Sequence, residues 1–245
     1  MTVLSREVAK RVLDTVDAGL VHGMGEAVPG KMCVEAAVCY ALGLPHGDHP
    51  TCVGSAVRAY KIRINDARWS SDVARAKGLR RVAIAQLGSD TLDQREVADR
   101  LVIATVRDVL PPLLRRYGYE AVACEGVTTR EAAKLAAQEA QVALCAAADA
   151  ADAADATAAA DATYAAYATA YAATADAAYA TAAAAATAAT AYAAADATAD
   201  AAAAYAAYAT ARDEVLTQAA NRLERVLVEM GSPGAAWLDL TEGDA

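Results

Sequence analysis

The residues best suited to chemistry by type and spacing lie in one short loop, which holds two imidazoles, a carboxylate and a thiol. His46, Asp48, His49 and Cys52 fall within seven residues, and each is a side chain that divalent metals accept as a ligand. The spacing matches no standard zinc pattern, and His46 and Asp48 could instead organise the proline-flanked loop by local hydrogen bonds. The loop therefore predicts either a metal site or a structural turn.

A second set of polar residues, spread over predicted helices and loops, could bind a small anion. Arg58 and Lys61 supply positive charge and Trp69 a stacking surface, a combination suited to a nucleotide-like ligand. Glu35 lies in an otherwise apolar segment and requires a partner. In the alternative interpretation, Asp66 caps a helix and Trp69 covers the edge of the core. The predicted ligand-binding set is Glu35, His46, Asp48, Arg58, Lys61, Asn65, Asp66 and Trp69.

Residues 25–32 (GEAVPGKM) nearly match the phosphate-binding pattern GxxxxGK[ST], in which backbone N–H groups and a lysine hold phosphates. Met32 offers no hydroxyl for magnesium, and the preceding segment has the pattern of a helix rather than a strand. We therefore interpret these glycines as a turn required by packing. The five cysteines show no CxxC spacing and are typical of free thiols in a reducing cytoplasm.

Composition and charge argue against several classes of protein. The chain has 245 residues and a net charge of −9, so duplex nucleic acid is not an expected partner. Only residues 58–81 are strongly basic, with eight Lys or Arg, and this predicts a solvated helix face or a surface that meets an acidic segment. No stretch resembles a membrane span or a secretory signal, which predicts no membrane partner and a cytoplasmic location. No motif requires a cofactor.

Hydrophobic periodicity predicts that these residues are carried by helices. Apolar residues at helical spacing and Gly or Pro stop signals predict α-helices over about 6–20, 32–42, 55–66, 71–77, 79–86 and 93–109, the last ended by Pro111 and Pro112. No segment alternates with a period of two, so the predicted fold class is all-α. We expect a globular helical domain over 1–126, a long-helix region over 127–231 and a flexible acidic tail over 232–245.

Residues 146–211 form an alanine-rich tract of only 43 Ala, nine Thr, seven Asp and seven Tyr. Alanine has the highest helix propensity, and no Gly or Pro interrupts residues 127–230. The polar residues follow no single face, which favours long helices packed as a close-spaced hairpin or bundle over a solitary rod. Drift of a low-complexity repeat without a specific role is the alternative.

Residues 29–50 (PGKMCVEAAVCYALGLPHGDHP) resemble a family of uncharacterised bacterial and phage proteins. Residues 58–66, 69–71 and 85–89 extend the resemblance over about the first 120 residues. Members of that family often carry an Ala-rich C-terminal half. The resemblance therefore implies a two-part chain and implies no activity.

Together these patterns predict a non-enzymatic helical protein that self-associates as a homo-oligomer or binds a partner. The second hypothesis is a protein that binds or sequesters a small anionic ligand through the basic segment and the loop around His46 and Asp48. The third is a metal-dependent enzyme that uses residues 46–52.

Overall fold

The computed structural model describes residues 4–116, 118–150 and 201–242. This part of the chain contains helices and no strand beyond an isolated bridge between Gly25 and Met32, which confirms the all-α prediction. None of its helices is both long and apolar enough to cross a membrane. The close packing predicted for the alanine-rich tract falls largely on residues 151–200, which lie outside the described residues.

The described ranges contain nine α-helices, two 3₁₀ segments and one π-helical segment. The α-helices are α1 (Arg6–Asp17), α2 (Val34–Ala41), α3 (Ser55–Asn65), α4 (Asp72–Ala85), α5 (Gln94–Ala104), α6 (Leu110–Arg116), α7 (Val122–Glu125), α8 (Arg130–Ala150) and α9 (Ala201–Glu229). The 3₁₀ segments are Ser89–Thr91 and Pro233–Glu242, and the π-helical segment is Thr105–Val109.

The chain divides into two compact units that differ from the predicted domains. The first unit combines residues 1–98 with residues 216–245, and the second comprises residues 99–215. The sequence suggested a boundary near residue 126 because composition changes there, whereas the units are defined by which residues are in contact.

In the first unit, α1 packs on α2 and α4, and α2 also packs on α3. Ser5 caps α1 by accepting a hydrogen bond from the Val8 N–H at 3.3 Å, as its position before an apolar-periodic segment indicates. The helix ends at Asp17, three residues before the predicted end, and Gly19 then turns the chain with a φ of +118°. The buried face of α1 consists of Val8, Ala9, Val12, Leu13, Thr15 and Val16.

Helix α4 is continuous where the sequence predicts two helices separated at Gly78. A Cβ atom at this position would overlap the Trp69 ring. The glycine therefore allows the ring to approach the helix backbone and does not interrupt the helix, a distinction that helix propensity alone does not make.

The prediction that Pro111 and Pro112 end a helix is wrong. The chain passes from α5 into the π-helical segment, where the Leu110 N–H donates to the Thr105 carbonyl five residues earlier, and continues as α6 with both prolines in its first turn. Proline is tolerated there because the first N–H groups of a helix need no partner within it. The π-helical turn allows the two helices to follow each other without a loop.

The described part of the predicted flexible tail, residues 232–242, is instead docked on α1 and α4. The Ser232 hydroxyl donates to the Ala85 carbonyl at 2.7 Å, and Arg6 pairs with Asp239 at 2.9 Å. Gly234 is buried and a Cβ there would lie 2.9 Å from the Leu87 nitrogen. Gly and Pro at the start of the segment indicated a loose tail from sequence, but they permit this close approach.

The second unit has its own apolar core, in which alanines of α8 replace larger side chains. Partly buried Ile103, Tyr119 and Ala132 pack around it. Its buried members are Val102, Val106, Val109, Leu110, Leu114, Ala121, Cys124, Val127, Ala133, Ala136, Ala137, Ala140 and Val215.

Candidate functional site

The candidate site lies in the first unit, where α2 and α3 meet the loop that follows α1. Helix α2 begins at Val34, and its N-cap residue Cys33 accepts a hydrogen bond from the Ala36 N–H at 3.3 Å. The cap residue fixes where the loop ends and α2 begins, and Glu35, the second residue of α2, is buried in the core.

Glu35 is the only charged residue of α2, and its partner is Lys61 of α3. The Glu35 Oε1 atom lies 3.2 Å from the Lys61 Nζ atom, and both side chains are 0% exposed. Neither the two Glu35 oxygens nor Nζ has a hydrogen bond of normal geometry to the described residues. The interaction is therefore a buried ion pair whose remaining hydrogen-bonding capacity is unused.

Burial controls the protonation of this pair. Loss of solvent raises the pKa of the Glu35 carboxyl group and lowers the pKa of the Lys61 ammonium group. The charge of each partner acts in the opposite direction on the other, and Arg58 also favours the ionised form of Glu35. The pair is thus mutually dependent, since either charge alone would be strongly disfavoured at this position.

Asn65, the last residue of α3, ties the surrounding backbone together. Its Oδ1 accepts from the Val34 N–H at 3.2 Å, and its Nδ2 donates to the Val21 carbonyl at 3.0 Å. The neighbouring Asp66 accepts from the Gly23 N–H at 2.8 Å through Oδ1. The end of α3, the start of α2 and the loop after α1 therefore share one hydrogen-bonded frame.

Arg75, which sequence reasoning did not single out, supports this frame from α4. Its Nε donates to the Asn65 carbonyl at 2.8 Å and its Nη1 to the Leu20 carbonyl at 3.3 Å, and it also pairs with Asp72. The one local signal for Arg75 is Asp72 three residues before it, an i,i+3 pair in the first turn of α4. The hydrogen bonds of Arg75 to the Asn65 and Leu20 carbonyls have no such pattern in the sequence.

A small cleft, here called the Glu35 cleft, opens within this frame. It has a volume of about 20 Å³, enough for one or two water molecules. Three carboxylate residues line it, Glu35, Asp48 and Asp66, together with Asn65 and Met24. The structure thus brings together five of the predicted ligand-binding residues, because Lys61 lies against Glu35 behind the same cleft.

The other predicted residues have separate roles or lie at the edge. Trp69 is buried and its Nε1 donates to the Ile64 carbonyl at 2.8 Å, which makes it part of the core. Arg58 is half-buried and is close enough to influence Glu35 electrostatically. The exposed His46 contacts the Gly25 carbonyl through Nε2 at 3.1 Å.

The loop from His46 to Cys52 shows no metal-binding geometry. Asp48 pairs with the adjacent His49 and also lines the cleft, while His46 contacts a backbone carbonyl. Among the described residues, no group of three or more His, Cys, Asp or Glu side chains is placed to hold a metal ion. The local hydrogen bonds correspond to the alternative interpretation of this loop as a structural turn.

The thiols near the cleft are shielded rather than activated. Burial raises the pKa of Cys33, that of Cys52, and that of Cys39 to about 11. A nucleophilic cysteine requires a lowered pKa. Cys33, Cys39, Cys52 and Cys124 are free thiols.

The near match to a phosphate-binding loop forms a closed turn. The Glu26 N–H donates to the Lys31 carbonyl at 2.7 Å, and the Lys31 N–H donates to the Val28 carbonyl at 2.9 Å. The Lys31 ammonium group lies 3.6 Å from Glu26. The N–H groups of Glu26, Val28 and Lys31 are therefore engaged inside the loop, in accord with its interpretation as a packing turn.

Four of the eight basic residues of segment 58–81 form ion pairs within the first unit, so the prediction of a solvated helix face is wrong for these four. Besides Lys61 and Arg75, Arg80 pairs with Asp17 of α1 at 2.7 Å and Arg81 with Glu224 of α9 at 2.8 Å. Apart from Asp72, which lies in α4 with Arg75, the partners come from other elements, and this is why sequence spacing did not reveal them.

Comparisons with protein-family models, with curated proteins and with solved structures found no match to this chain. The resemblance of residues 29–50 to a bacterial and phage family stays a prediction.

Proposed function

We propose that this chain is a non-enzymatic protein that binds a partner protein, and that the Glu35 cleft receives a positively charged group of that partner. One observation carries the proposal: three carboxylate residues line a water-sized cleft, and of the three only Glu35 has a Lys or Arg partner among the described residues, Lys61. Carboxylates without a cationic partner of their own favour a positively charged ligand.

The charge balance at the cleft supports a cation over an anion. Asp48 contacts His49, and Asp66 accepts only from the uncharged donors Gly23 N–H and Asn65 Nδ2. In the described chain neither aspartate forms an ion pair with Lys or Arg. Lys61, which the small-anion hypothesis requires, is fully buried against Glu35. A small anion would therefore meet uncompensated negative charge at this position.

The test measures binding of labelled peptides to the full chain by fluorescence anisotropy. One peptide carries Lys and Arg in a Gly/Ser background, and a second carries Asp and Glu at the same positions. We expect the basic peptide to bind and Asp48→Asn together with Asp66→Asn to weaken it about tenfold, the sum of two partly exposed charge interactions. Asparagine keeps the Oδ1 acceptor that Gly23 and Asn65 use, so the frame is retained.

The matched control is Asp14→Asn together with Asp90→Asn, which removes the same charge from two exposed positions of the first unit outside the cleft. We expect this variant to bind as the unmodified chain does. If both double variants lost the same affinity for the basic peptide, the binding would be a non-specific attraction to an acidic protein, and the proposal would be refuted. Preferential binding of the acidic peptide would favour the small-anion hypothesis instead.

If the partner is a second copy of this chain, the proposal becomes one of self-association. The homo-oligomer stays a prediction. Light scattering of the full chain at low and high salt measures it directly. Dimers that dissociate with added salt and with the cleft substitutions would place the cationic group on a second copy.

A further inference from the structure

The second unit exposes two large apolar side chains on one line of α8. Leu135 is 62% exposed and Val142 is 70% exposed. They are seven residues apart, so they lie within about 20° of each other around the helix axis. Single apolar residues are common on protein surfaces, whereas apolar residues seven apart on a helix are the repeat by which two helices pack along each other. This pair is here called the α8 outer stripe.

The α8 outer stripe lies on the side of the helix away from the core of its own unit. The inner side consists of Ala133, Ala136, Ala137 and Ala140, each 4% exposed or less. At 100° per residue, these positions are centred about 160° from the stripe. Helix α8 therefore buries alanines and exposes leucine and valine, the reverse of what burial within one chain favours.

Charged residues of opposite sign flank the stripe on its two sides. Lys134 lies about 90° to one side of the stripe and Glu139 about 50° to the other, and both residues are exposed. If Leu135 and Val142 are the a positions of a heptad, Lys134 is a g position and Glu139 is the next e position. In two parallel helices in register, each Lys134 then faces the Glu139 of the other copy, and two-fold symmetry forms this pair twice.

The same pattern selects one arrangement of the two helices. In an antiparallel pair, g positions face g positions and e positions face e positions, so Lys134 would meet Lys134 and Glu139 would meet Glu139. Gln138 occupies the d position within the stripe, where an uncharged polar residue fixes the register at a cost in stability. Glu131, the preceding d position, is in the first turn of α8 and would face its own copy, so the contact begins at Leu135.

We infer that the α8 outer stripe docks on the same stripe of a second copy of this chain, with the two helices parallel and in register. The inference concerns the second unit and does not depend on the Glu35 cleft. The contact is small, so the association it provides is weak and appears at high protein concentration.

The experiment is sedimentation equilibrium of the full chain from about 10 μM to about 1 mM, a range suited to a weak dimer. Leu135→Ala and Val142→Ala test the stripe, and alanine preserves the helix because it has the highest helix propensity. We expect each to raise the Kd of the dimer about tenfold, since one substitution removes the side chain from both copies. Val122→Ala is the matched control, because Val122 is 71% exposed on α7 of the same unit and should leave the Kd unchanged.

Lys134→Glu and Glu139→Lys test the register. Each should weaken its homodimer about tenfold, because it replaces two attractive pairs by two repulsive ones. An equimolar mixture of the two variants should associate as tightly as the unmodified chain, since opposite charges again face each other, and so should the chain that carries both substitutions. Net charge alone predicts otherwise, because the chain carries −9 and Glu139→Lys would then strengthen association.

The outcomes also separate this inference from the proposed function. A chain that stays monomeric throughout the range would overturn the inference, as would a dimer that Leu135→Ala and Val142→Ala leave unchanged. If these two variants instead lower the thermal midpoint of a monomer, another segment of the same chain covers the stripe and the inference is wrong. A mixture of charge variants that fails to recover would exclude the parallel register. A dimer lost only in Asp48→Asn with Asp66→Asn would support the cleft and refute the stripe.

Discussion

The buried pair of Glu35 and Lys61 allows the strongest test of the physical reasoning. Lys61→Met removes the positive charge and keeps an unbranched side chain. The Glu35 carboxyl group then has no cationic partner in a site that is 0% exposed. Removal of one partner from a buried ion pair destabilises a protein by about 3–5 kcal/mol. Glu35→Leu leaves Lys61 alone and should destabilise the first unit by a similar amount.

The double variant, Glu35→Leu with Lys61→Met, distinguishes the loss of pairing from the loss of packing. Both charges are then absent, so no desolvated ion remains, and apolar replacement of a buried pair is often neutral or stabilising by about 1–4 kcal/mol. We expect the free energy of unfolding of the double variant to be no more than about 1 kcal/mol below that of the unmodified chain. Arg6→Met is the control, because its pair with Asp239 is more than half exposed and solvent screens such a pair strongly.

Tryptophan fluorescence during urea unfolding reports specifically on the first unit. The chain contains only two tryptophans, Trp69 and Trp237, and both belong to that unit. The reasoning would be refuted if either single variant were no less stable than Arg6→Met. It would also be refuted if the destabilisation of the double variant equalled the sum of the two single variants.

The pH dependence follows from the directions of the two pKa shifts. Burial raises the folded-state pKa of Glu35, so the free-energy penalty for ionising it in Lys61→Met is fully present above that pKa. The penalty disappears as the pH falls toward the ordinary value of 4.5. For Glu35→Leu the sign is opposite, because burial lowers the pKa of Lys61 and the penalty disappears as the pH rises toward 10.5. The urea midpoint of Lys61→Met should therefore approach that of the unmodified chain as the pH falls. The midpoint of Glu35→Leu should approach it as the pH rises.

Three further predictions concern the frame around the site. Gly78→Ala should reduce the free energy of unfolding of the first unit by about 1–3 kcal/mol and so lower its urea midpoint, because the added methyl group overlaps Trp69. An unchanged midpoint would contradict the close approach of the Trp69 ring to the helix. Gly234→Ala should release the docked C-terminal segment, since a Cβ there meets the backbone at Leu87; faster proteolysis after residue 232 measures this, and equal rates would count against docking. The Cys39 thiol, with a pKa of about 11, is about one part in a thousand ionised at pH 8, so a disulfide reagent should label it far more slowly in the folded chain than in urea.

Much of the helical architecture was predictable because its causes are local. Ser5 precedes an apolar-periodic segment and caps α1, and glycines follow the ends of α1 and α2. The errors arose where a local breaker has a tertiary role. Gly78 accommodates Trp69, and Pro111 falls in a first helical turn that a π-helical segment makes possible. A sequence pattern shows that a glycine or proline is present but not which residue lies next to it in the folded chain.

The same distinction explains what could be predicted of the site. An isolated charge in an apolar helix requires a partner, so Glu35 was correctly singled out, and Lys61 was among the candidates. Helical periodicity could not select Lys61 from eight basic residues, because the choice depends on how α2 crosses α3. Arg75 was missed for the same reason, since its acceptors are backbone carbonyls of Asn65 and Leu20, which have no sequence signature.

The distribution of ion pairs in the first unit gives the cleft its charge. Basic residues of α3 and α4 meet acidic residues of other elements, among them the Arg80 pair with Asp17 and the Arg81 pair with Glu224. These pairs hold the elements together and cancel charge wherever they form. Asp66 forms no such pair in the described chain, because its hydrogen-bond donors there are the uncharged Gly23 N–H and Asn65 Nδ2. Since hydrogen bonds between a carboxylate and a cationic donor are stronger than those to a neutral donor, a positive group bound beside Asp66 would supply the pairing that Arg80 and Arg81 give to Asp17 and Glu224.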